Sequence, residues 1–477
     1  MINNFTPVIG IEVHAALNTK SKMFSAARNS FTDRANTNIC PMDLGMPGLL
    51  PTVNEAAVKK AIVLANALKM GIDLNLRFDR KNYYYQDLPK GFQITQQFHP
   101  IGKEGEIILD SGKAIGVERI HLEEDTAKEL VVNGHILLDY NRSGVPLIEI
   151  VSRPHIANGA EAVEYLTKLK RLLVFLNISD GKMENGSLRA DVNISLMPTG
   201  TDKFGTKVEI KNINSFAAVA KAIDYEIARQ SKELLLGNKI EQQTRRWNDT
   251  TNKTEYMRSK TNALQYYYFT EANISPILLP ESFKQEALAN VGKLPDDIKN
   301  DLAKLNINMK LINQLLDDYQ LYRIFSKVYE KTNNVELTVT WVVVELLSYL
   351  KNNNLTCDKV TDKQIDLIVE MIRLLHSQDL NGKQAKIVFP IMLNKQISPE
   401  QVMEENNLIQ IKDPKILKEM LSAIVDKNLN MLDQYQTRSE RVLKFYLGML
   451  MKETQGQANP VIANRVLLEV IEAKLKK

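Results

Sequence analysis

Four short stretches of this chain alternate polar and apolar residues with a period of two, and that alternation limits the fold more than any other feature. Side chains along a strand point alternately to its two faces, so residues two apart share a face. In GIEVHAAL, Ile11 and Val13 oppose Glu12 and His14. In SLRADVNISL, Leu188, Ala190, Val192 and Ile194 oppose Arg189, Asp191, Asn193 and Ser195. In TKVEIKNI, Val208 and Ile210 oppose Lys207, Glu209 and Lys211. In ERIHLEED, Ile120 and Leu122 oppose His121 and Glu123, with Glu124 at the strand's end. The pattern predicts an antiparallel sheet with one face on a core and one face polar. Taken singly, each stretch reads as ordinary wet sheet surface.

Taken together they do not. If these strands are neighbours, Glu12, His14, Glu123, Glu124, Asp191 and Glu209 gather on one face. Two carboxylates about 4 Å apart repel by roughly 4 kcal/mol at an effective dielectric near 20. Such a group must protonate, disperse or take up a cation. Oxygen donors with one imidazole suit Mg²⁺, or Mn²⁺, better than zinc. The run IHLEEDTAK sharpens the point, because Glu123, Glu124 and Asp125 are adjacent. A metal among carboxylates commonly holds nucleotide phosphates.

The chain has 477 residues, enough for about three domains. Residues 1–290 read as a mixed, β-rich domain of α+β class rather than regular βαβ alternation. Asn133-Gly134 lies between two apolar runs and predicts a hairpin. Asn54 and Gly71 are the expected caps of the helix NEAAVKKAIVLANALKMG, and SFAAVAKAIDYEIARQSKELLLG also ends in Gly. From 291 the texture becomes helical. Thr361 and Gln364 have capping-box spacing ahead of the stripe Ile365, Ile368, Met371, Ile372 and Leu375. Ser398 and Pro399 open another helix. An all-α domain is expected over 291–407 and a small all-α tail over 408–477. The tail's last 37 residues hold seven cations, among them Lys444, Lys452, Arg465, Lys476 and Lys477, against three acids.

Composition excludes several classes. Hydrophobic residues make up 44% and charged residues 25%, as in soluble globular proteins. WVVVELLSYL breaks at Glu345, too short to cross a bilayer, and the N-terminus lacks a secretory pattern, so a cytoplasmic protein without membrane contact is expected. Cys40 and Cys357 are the two cysteines, too few for a disulfide framework or a thiolate zinc site. No phosphate-binding G-x-x-x-x-G-K-[ST], kinase-type G-x-G-x-x-G or G-x-S-x-G occurs, so no nucleophile for amide hydrolysis is visible. RKNYYYQDLPKGFQITQ joins Lys81 to three tyrosines, a combination that stacks on and neutralises nucleotides or simply buries rings with hydroxyls at the edge. Asn141, Arg142 and Ser143 suit either a ligand-facing turn or a structural one.

With these residues on view, the chain resembles the B subunits of the tRNA-dependent aspartyl/glutamyl-tRNA amidotransferases. The blocks IGIEVHAALNTKSKMF, LGMPGLLPTVN, FDRKNYYYQDLPKGFQITQ, IHLEEDTAK, DYNRSGVPLIEIV, ENGSLRADVNIS, FGTKVEIKNINSF and MRSKTNALQYYYF occur in family order. KFYLGMLMKETQGQANPVIANRVL is similar to the family's helical tail. The resemblance implies a β-rich cradle carrying the active site, a helical domain and the tail. It also implies that ATP phosphorylates the side-chain carboxylate of glutamate on tRNA(Gln) or aspartate on tRNA(Asn), and that ammonia from a separate amidase (A) subunit then gives the amide. A small C subunit would complete a heterotrimer.

Carried over residue by residue, the family's Mg²⁺ and phosphate site falls on Glu12, His14, Glu123, Glu124, Asp191 and Glu209. Lys81, Arg189, Lys207 and Lys211 are candidates for offsetting phosphate charge, and Lys444, Lys452 and Arg465 for contacting tRNA. Some relatives hold zinc near this N-terminal loop. Here Cys40 is alone and Asp43 stands where a second cysteine would be, so no zinc is expected. Two other readings remain: a non-catalytic tRNA-binding scaffold of the same complex, and a free-standing metal-dependent ligase acting on a small acid.

Overall fold

A computed structural model describes residues 4–259, 266–406, 408, 411, 413–432, 434–454 and 456–475. Residues 260–265 of the MRSKTNALQYYYF block, and Lys476 and Lys477, lie outside them. The chain forms two compact units, Met1–Ile298 and Lys299–Lys477.

The strands of the first unit are β1 (Phe5–Ala16), β2 (Gly71–Ile72), β3 (Asn75–Leu76), β4 (Asp79–Asn82), β5 (Phe92–Thr95), β6 (Gly102–Ile108), β7 (Ala114–Glu124) and β8 (Lys128–Val132). They continue as β9 (His135–Asp139), β10 (Pro146–Ser152), β11 (Leu188–Pro198), β12 (Val208–Lys211), β13 (Gln243–Asn248), β14 (Lys253–Ser259), β15 (Tyr267–Thr270) and β16 (Ile277–Leu278). Nine of them make one sheet in the order β14-β13-β12-β11-β1-β10-β7-β6-β2. Every pairing in it is antiparallel except β12 with β13. A small sheet, β15-β4-β5, and the hairpin β8-β9 stand apart from it.

The apolar face of the large sheet is covered by α1 (Glu55–Ala67), α2 (Gly159–Phe175) and α3 (Phe216–Leu235). Ile9, Ile11, Val13, Ile120, Leu122, Ile148, Ile150, Val192, Ile194, Val208 and Ile210 pack there with Ala61, Ile62, Leu166, Leu169, Val219 and Ile223. Each Val, Leu or Ile fully buried there stabilises by roughly 1.5–3 kcal/mol. The predicted period of two thus selects the core face, and the polar set is left on the other side.

Asn54 caps α1, its side chain accepting from the Ala57 N–H. The far end differs from expectation: α1 stops at Ala67, Leu68 is the C-cap, Lys69 takes the left-handed turn at φ 59°, and Gly71 opens β2. An early exit lets the chain pair with β6 at once. Gly237, at φ 79° after α3, does serve as the expected terminator. Asn133 and Gly134 both have positive φ between β8 and β9, the geometry of a two-residue hairpin turn.

In the second unit the expected capping box is present at Thr361 with Gln364, and Ser398, expected to open a helix with Pro399, is its N-cap and forms a second box with Gln401. Its last helices, Pro414–Lys427, Tyr435–Glu453 and Pro460–Leu475, share a core of their own around Leu417, Leu421, Val442, Tyr446 and Leu467. No helix among the described residues is long and apolar enough to cross a membrane.

Close packing of α2 on α3 supplies a test. A Cβ on Gly159 would lie 2.8 Å from Ala220 Cα and O, whereas one on Gly292 would meet nothing within 4 Å. Gly159→Val is expected to destabilise the first unit by about 1–3 kcal/mol, and Gly292→Ala to leave it unchanged or slightly raised. Urea unfolding followed by Trp247 fluorescence in a Trp341→Phe background measures both.

Candidate functional site

Antiparallel register sets the polar residues out in rows. Arg189 on β11, His14 on β1, Glu149 on β10 and His121 on β7 are successive cross-strand partners. In the next row Asp191 stands opposite Glu12. Beyond it Glu209 on β12 is opposite Asn193.

These rows resolve into two triads whose ligand atoms lie within 4.8 Å of one another: His14, Glu123 and Glu149, and Glu12, Asp191 and Glu209. In the first, His14 Nε2 is 3.3 Å from Glu149 Oε2 and 3.6 Å from Glu123 Oε1. His121 Nε2 approaches the same two acids at 3.3 and 3.8 Å. Burial disfavours a charged His121, but Glu149 and Glu123 outweigh it and hold its pKa up to about 9. His14 is raised too, its hydrogen bond and charge interaction with Glu149 overcoming burial. Burial likewise opposes ionisation of Glu149, yet the two imidazoles keep its carboxyl well below the usual range. Two acids and two histidines compensate one another.

The second triad is all carboxylate. Lys211 Nζ lies 2.5 Å from Asp191 Oδ2 and 3.5 Å from Glu209 Oε1, and Thr244 Oγ1 donates to Glu209 Oε2 at 2.8 Å. Burial pushes the Glu12 carboxyl above its ordinary pKa, as do Glu149 and Asp191, and Lys211 only partly offsets them. Asn193 Nδ2 donates to Glu12 Oε1 at 2.9 Å, while Asn193 Oδ1 is buried without a hydrogen-bond partner. Three clustered carboxylates, hard oxygen donors and an unused carbonyl oxygen fit a divalent cation such as Mg²⁺.

Two cavities flank the Glu12–Asp191 pair. One, about 370 Å³, is lined by His14, Lys81, Tyr83, Glu123, Arg189 and Lys211, among others. The Lys81 ammonium lies 4.8 Å from the centre of the Tyr266 ring and 5.9 Å from that of Tyr83, and among the described residues it makes no ion pair. The other cavity, about 400 Å³, is more apolar and includes Gly10, Glu12, Pro154, Phe204, Gly205 and Lys207. Gly205 is obligatory, since a Cβ there would meet Leu196 O at 2.1 Å.

Of the five acids and one histidine predicted for the cluster, four acids and the histidine fall in the two triads and Glu124 does not. At the end of β7 it turns away, paired with Lys90 at 2.5 Å and accepting the Ile94 N–H at 3.0 Å. Asp125 takes Arg142 and Arg189, the latter at 3.1 Å. Of the turn 141–143, Asn141 Oδ1 accepts from Thr37 and Asn38 and Ser143 Oγ donates to Asp43 O, so with Arg142 on Asp125 its polar side chains are used within the fold. Asp43 accepts from Cys40 N and from Ser25 and lies 3.3 Å from the buried Lys22 ammonium. Sequence reasoning misses Glu149, because PLIEIVS reads as a continuous buried strand. Its one signal is a lone acid at an even spacing between Leu147 and Val151. Lys444, Lys452 and Arg465 are exposed on the tail, with Lys444 also pairing to Glu440 at 2.6 Å.

Comparison with known proteins places the chain in a family. A family model described as the GatB/GatE catalytic domain matches residues 7–285, and one described as the GatB domain matches residues 323–471. The chain is 48% identical over 474 residues to the B subunit of the aspartyl/glutamyl-tRNA(Asn/Gln) amidotransferase of Malacoplasma penetrans, covering 99% of this chain and 98% of that one. It is 45% identical over 476 residues to the protein of the same name from Ureaplasma parvum, covering 99% and 100%. To that of Mycoplasma capricolum it is 44% identical over 481 residues, again 99% and 100%.

The charge balance of the first triad predicts a pH dependence. In metal-free protein His121 is expected to titrate near 9, and Glu149→Gln to bring it down. Because the folded pKa exceeds the ordinary 6.5, its stabilisation is full below about pH 6.5 and is lost as pH rises through 9. Imidazole NMR and urea midpoints between about pH 6 and 10 measure the two effects.

Proposed function

The chain belongs to the family of aspartyl/glutamyl-tRNA(Asn/Gln) amidotransferase B subunits, and from that premise we propose how its polar sheet face serves the amidation of misacylated tRNA. It is a subunit of a glutamine-dependent ligase that converts Glu-tRNA(Gln) or Asp-tRNA(Asn) to the amidated form. The observation that carries the reading of the site is the carboxylate triad Glu12, Asp191 and Glu209, of which Glu12 lines one cavity and Asp191 the other.

An ATP triphosphate and a substrate carboxylate repel, so phosphoryl transfer between them needs charge neutralisation and in-line placement more than covalent help. Glu12, Asp191 and Glu209 would hold Mg²⁺, with His14, Glu123 and Glu149 a second donor set; bound there, the ion supplies neutralisation of phosphate charge. The apolar cavity suits the nucleotide: Phe204 and Pro154 offer surface to a base, Gly10 leaves the backbone open, and Lys207 meets phosphate. The polar cavity suits the aminoacyl group, whose side-chain carboxylate finds Lys81, Arg189 and Lys211. Asp125 orients Arg189 from behind. Glu124, tied to Lys90, positions β5 against β7 rather than touching substrate.

Ammonia comes from a separate amidase subunit, with a small third subunit completing a cytoplasmic heterotrimer. Lys444, Lys452 and Arg465 of the tail meet the tRNA backbone, where phosphate contacts dominate affinity.

Phosphate release from ATP by the assembled complex, with and without misacylated tRNA, tests the assignment. Wild type should turn over ATP in a tRNA-dependent way, and Asp191→Asn or Glu12→Gln should lower the rate at least about 100-fold. Unchanged turnover in both variants would leave this chain a tRNA-binding scaffold, and turnover without tRNA or partners would make it a free-standing ligase.

A further inference from the structure

The β8-β9 hairpin is an anomaly in a soluble fold. It pairs with no other strand among the described residues, and of its outward carbonyls Leu138 O, near the base, accepts from Asn36 Nδ2. Leu130, Val132 and Leu137 crowd one face, and Val131 and Ile136 stand on the other, all exposed, with Val131 at 71%. Native proteins blunt open edges with charge or proline and rarely leave apolar groups on both faces of a free ribbon. A two-stranded hairpin is marginally stable alone in water. Here the turn and the base are firmly built, which says that the ribbon is meant to persist until something covers it. Asp139 Oδ1 accepts from Asn36 and Asn141, Asn36 Nδ2 donates to Leu138 O, and Ala127 N–H donates to Asp87 O. The loop tied to that base also carries Phe31, 97% exposed.

What covers it is constrained by charge and by position. The two strands and their turn contain Lys128 against Glu129 and Asp139, which gives no cationic surface for a phosphate backbone. Apolar faces with open edges are the chemistry of a protein partner, by strand addition and side-chain insertion. Position identifies which one. β7, with His121 and Glu123, runs directly into the hairpin, and β10, with Glu149, runs out of it. Asp125, between β7 and the hairpin, holds Arg189 at the cavity. A protein seated on this ribbon abuts the rim of the cavity where the amide forms, and the species that must reach that cavity without loss to water is ammonia.

We propose that the β8-β9 hairpin is the element by which this chain docks the amidase subunit that releases its ammonia. The proposal rests on the functional reading above. It is tested with the co-expressed, assembled complex carrying Val131→Lys or Leu137→Lys, both at exposed positions, with circular dichroism and melting confirming an intact fold. Sedimentation should show amidase affinity weakened by roughly 100-fold or more. Glutamine-dependent amidation at dilute concentration should fall by a similar factor, while amidation fed by ammonium chloride stays within about twofold. Intact assembly with full glutamine-dependent activity would overturn the proposal. So would a change confined to self-association of this chain, which would assign the ribbon to a second copy, or one confined to tRNA affinity. A wild-type complex unable to use ammonium chloride would refute the amidation reading of the site and leave the assembly measurement standing.

Discussion

Cross-strand register between β1 and its two neighbours is the constraint on which this site depends. Because β11 and β10 both run antiparallel to β1, His14 faces Arg189 on one side and Glu149 on the other, and Glu12 faces Asp191. A slip of one residue would send every one of these groups into the core and every core isoleucine into water. The buried set Ile9, Ile11 and Val13 therefore does two things at once. It anchors the sheet on α1, α2 and α3, and it forbids any other arrangement of the acids. Repulsion within the acid cluster opposes folding, and the apolar face supplies the free energy that holds it in place.

The three adjacent acids of the IHLEED run show how finely one strand end can divide its charges. Glu123 turns to the cavity and meets two imidazoles, Glu124 turns under the sheet to Lys90, and Asp125 leaves the strand to grip two arginines. Alternation along β7 accounts for the first two directions, and the strand's end for the third. Each acid finds a cationic partner of its own, so the run is not one site: Glu123 belongs to the triad, and Glu124 and Asp125 fasten the fold beside it. Lys90, Arg142 and Arg189 come from three different segments. The run thus draws the β4–β5 loop, the turn before β10 and the start of β11 toward one place.

Much of this is legible in the residues alone. Period-two alternation separates core from polar face in β1, β7, β11 and β12, and the Asn133-Gly134 turn and the Thr361 and Ser398 capping boxes lie where local chemistry puts them. What stays hidden is long-range. Nothing local says that β10 lies between β1 and β7, so Glu149 could not be seen to complete a triad. Nothing local says that Lys90 waits beneath Glu124. The exit of α1 misleads for a different reason: Gly71 looks like a helix terminator, but pairing with β6 claims it, and Lys69 takes the left-handed turn instead. Where a residue has two plausible local roles, the neighbour that arrives from far along the chain decides.

The two triads differ in a way that bears on their use. His14 and His121 neutralise Glu123 and Glu149 from within, so a cation arriving there must first displace protons held by favourable ion pairs. Lys211 reaches Asp191 and Glu209, while burial first, and then Glu149 and Asp191, raise the pKa of Glu12. A divalent ion entering the second triad relieves repulsion that is already present, while one entering the first must create its own vacancy. On the reading proposed above, charge would order the two positions: the Glu12 triad would fill first, and the histidine triad would fill when a second polyanion, such as a bound triphosphate, raised the local demand for positive charge.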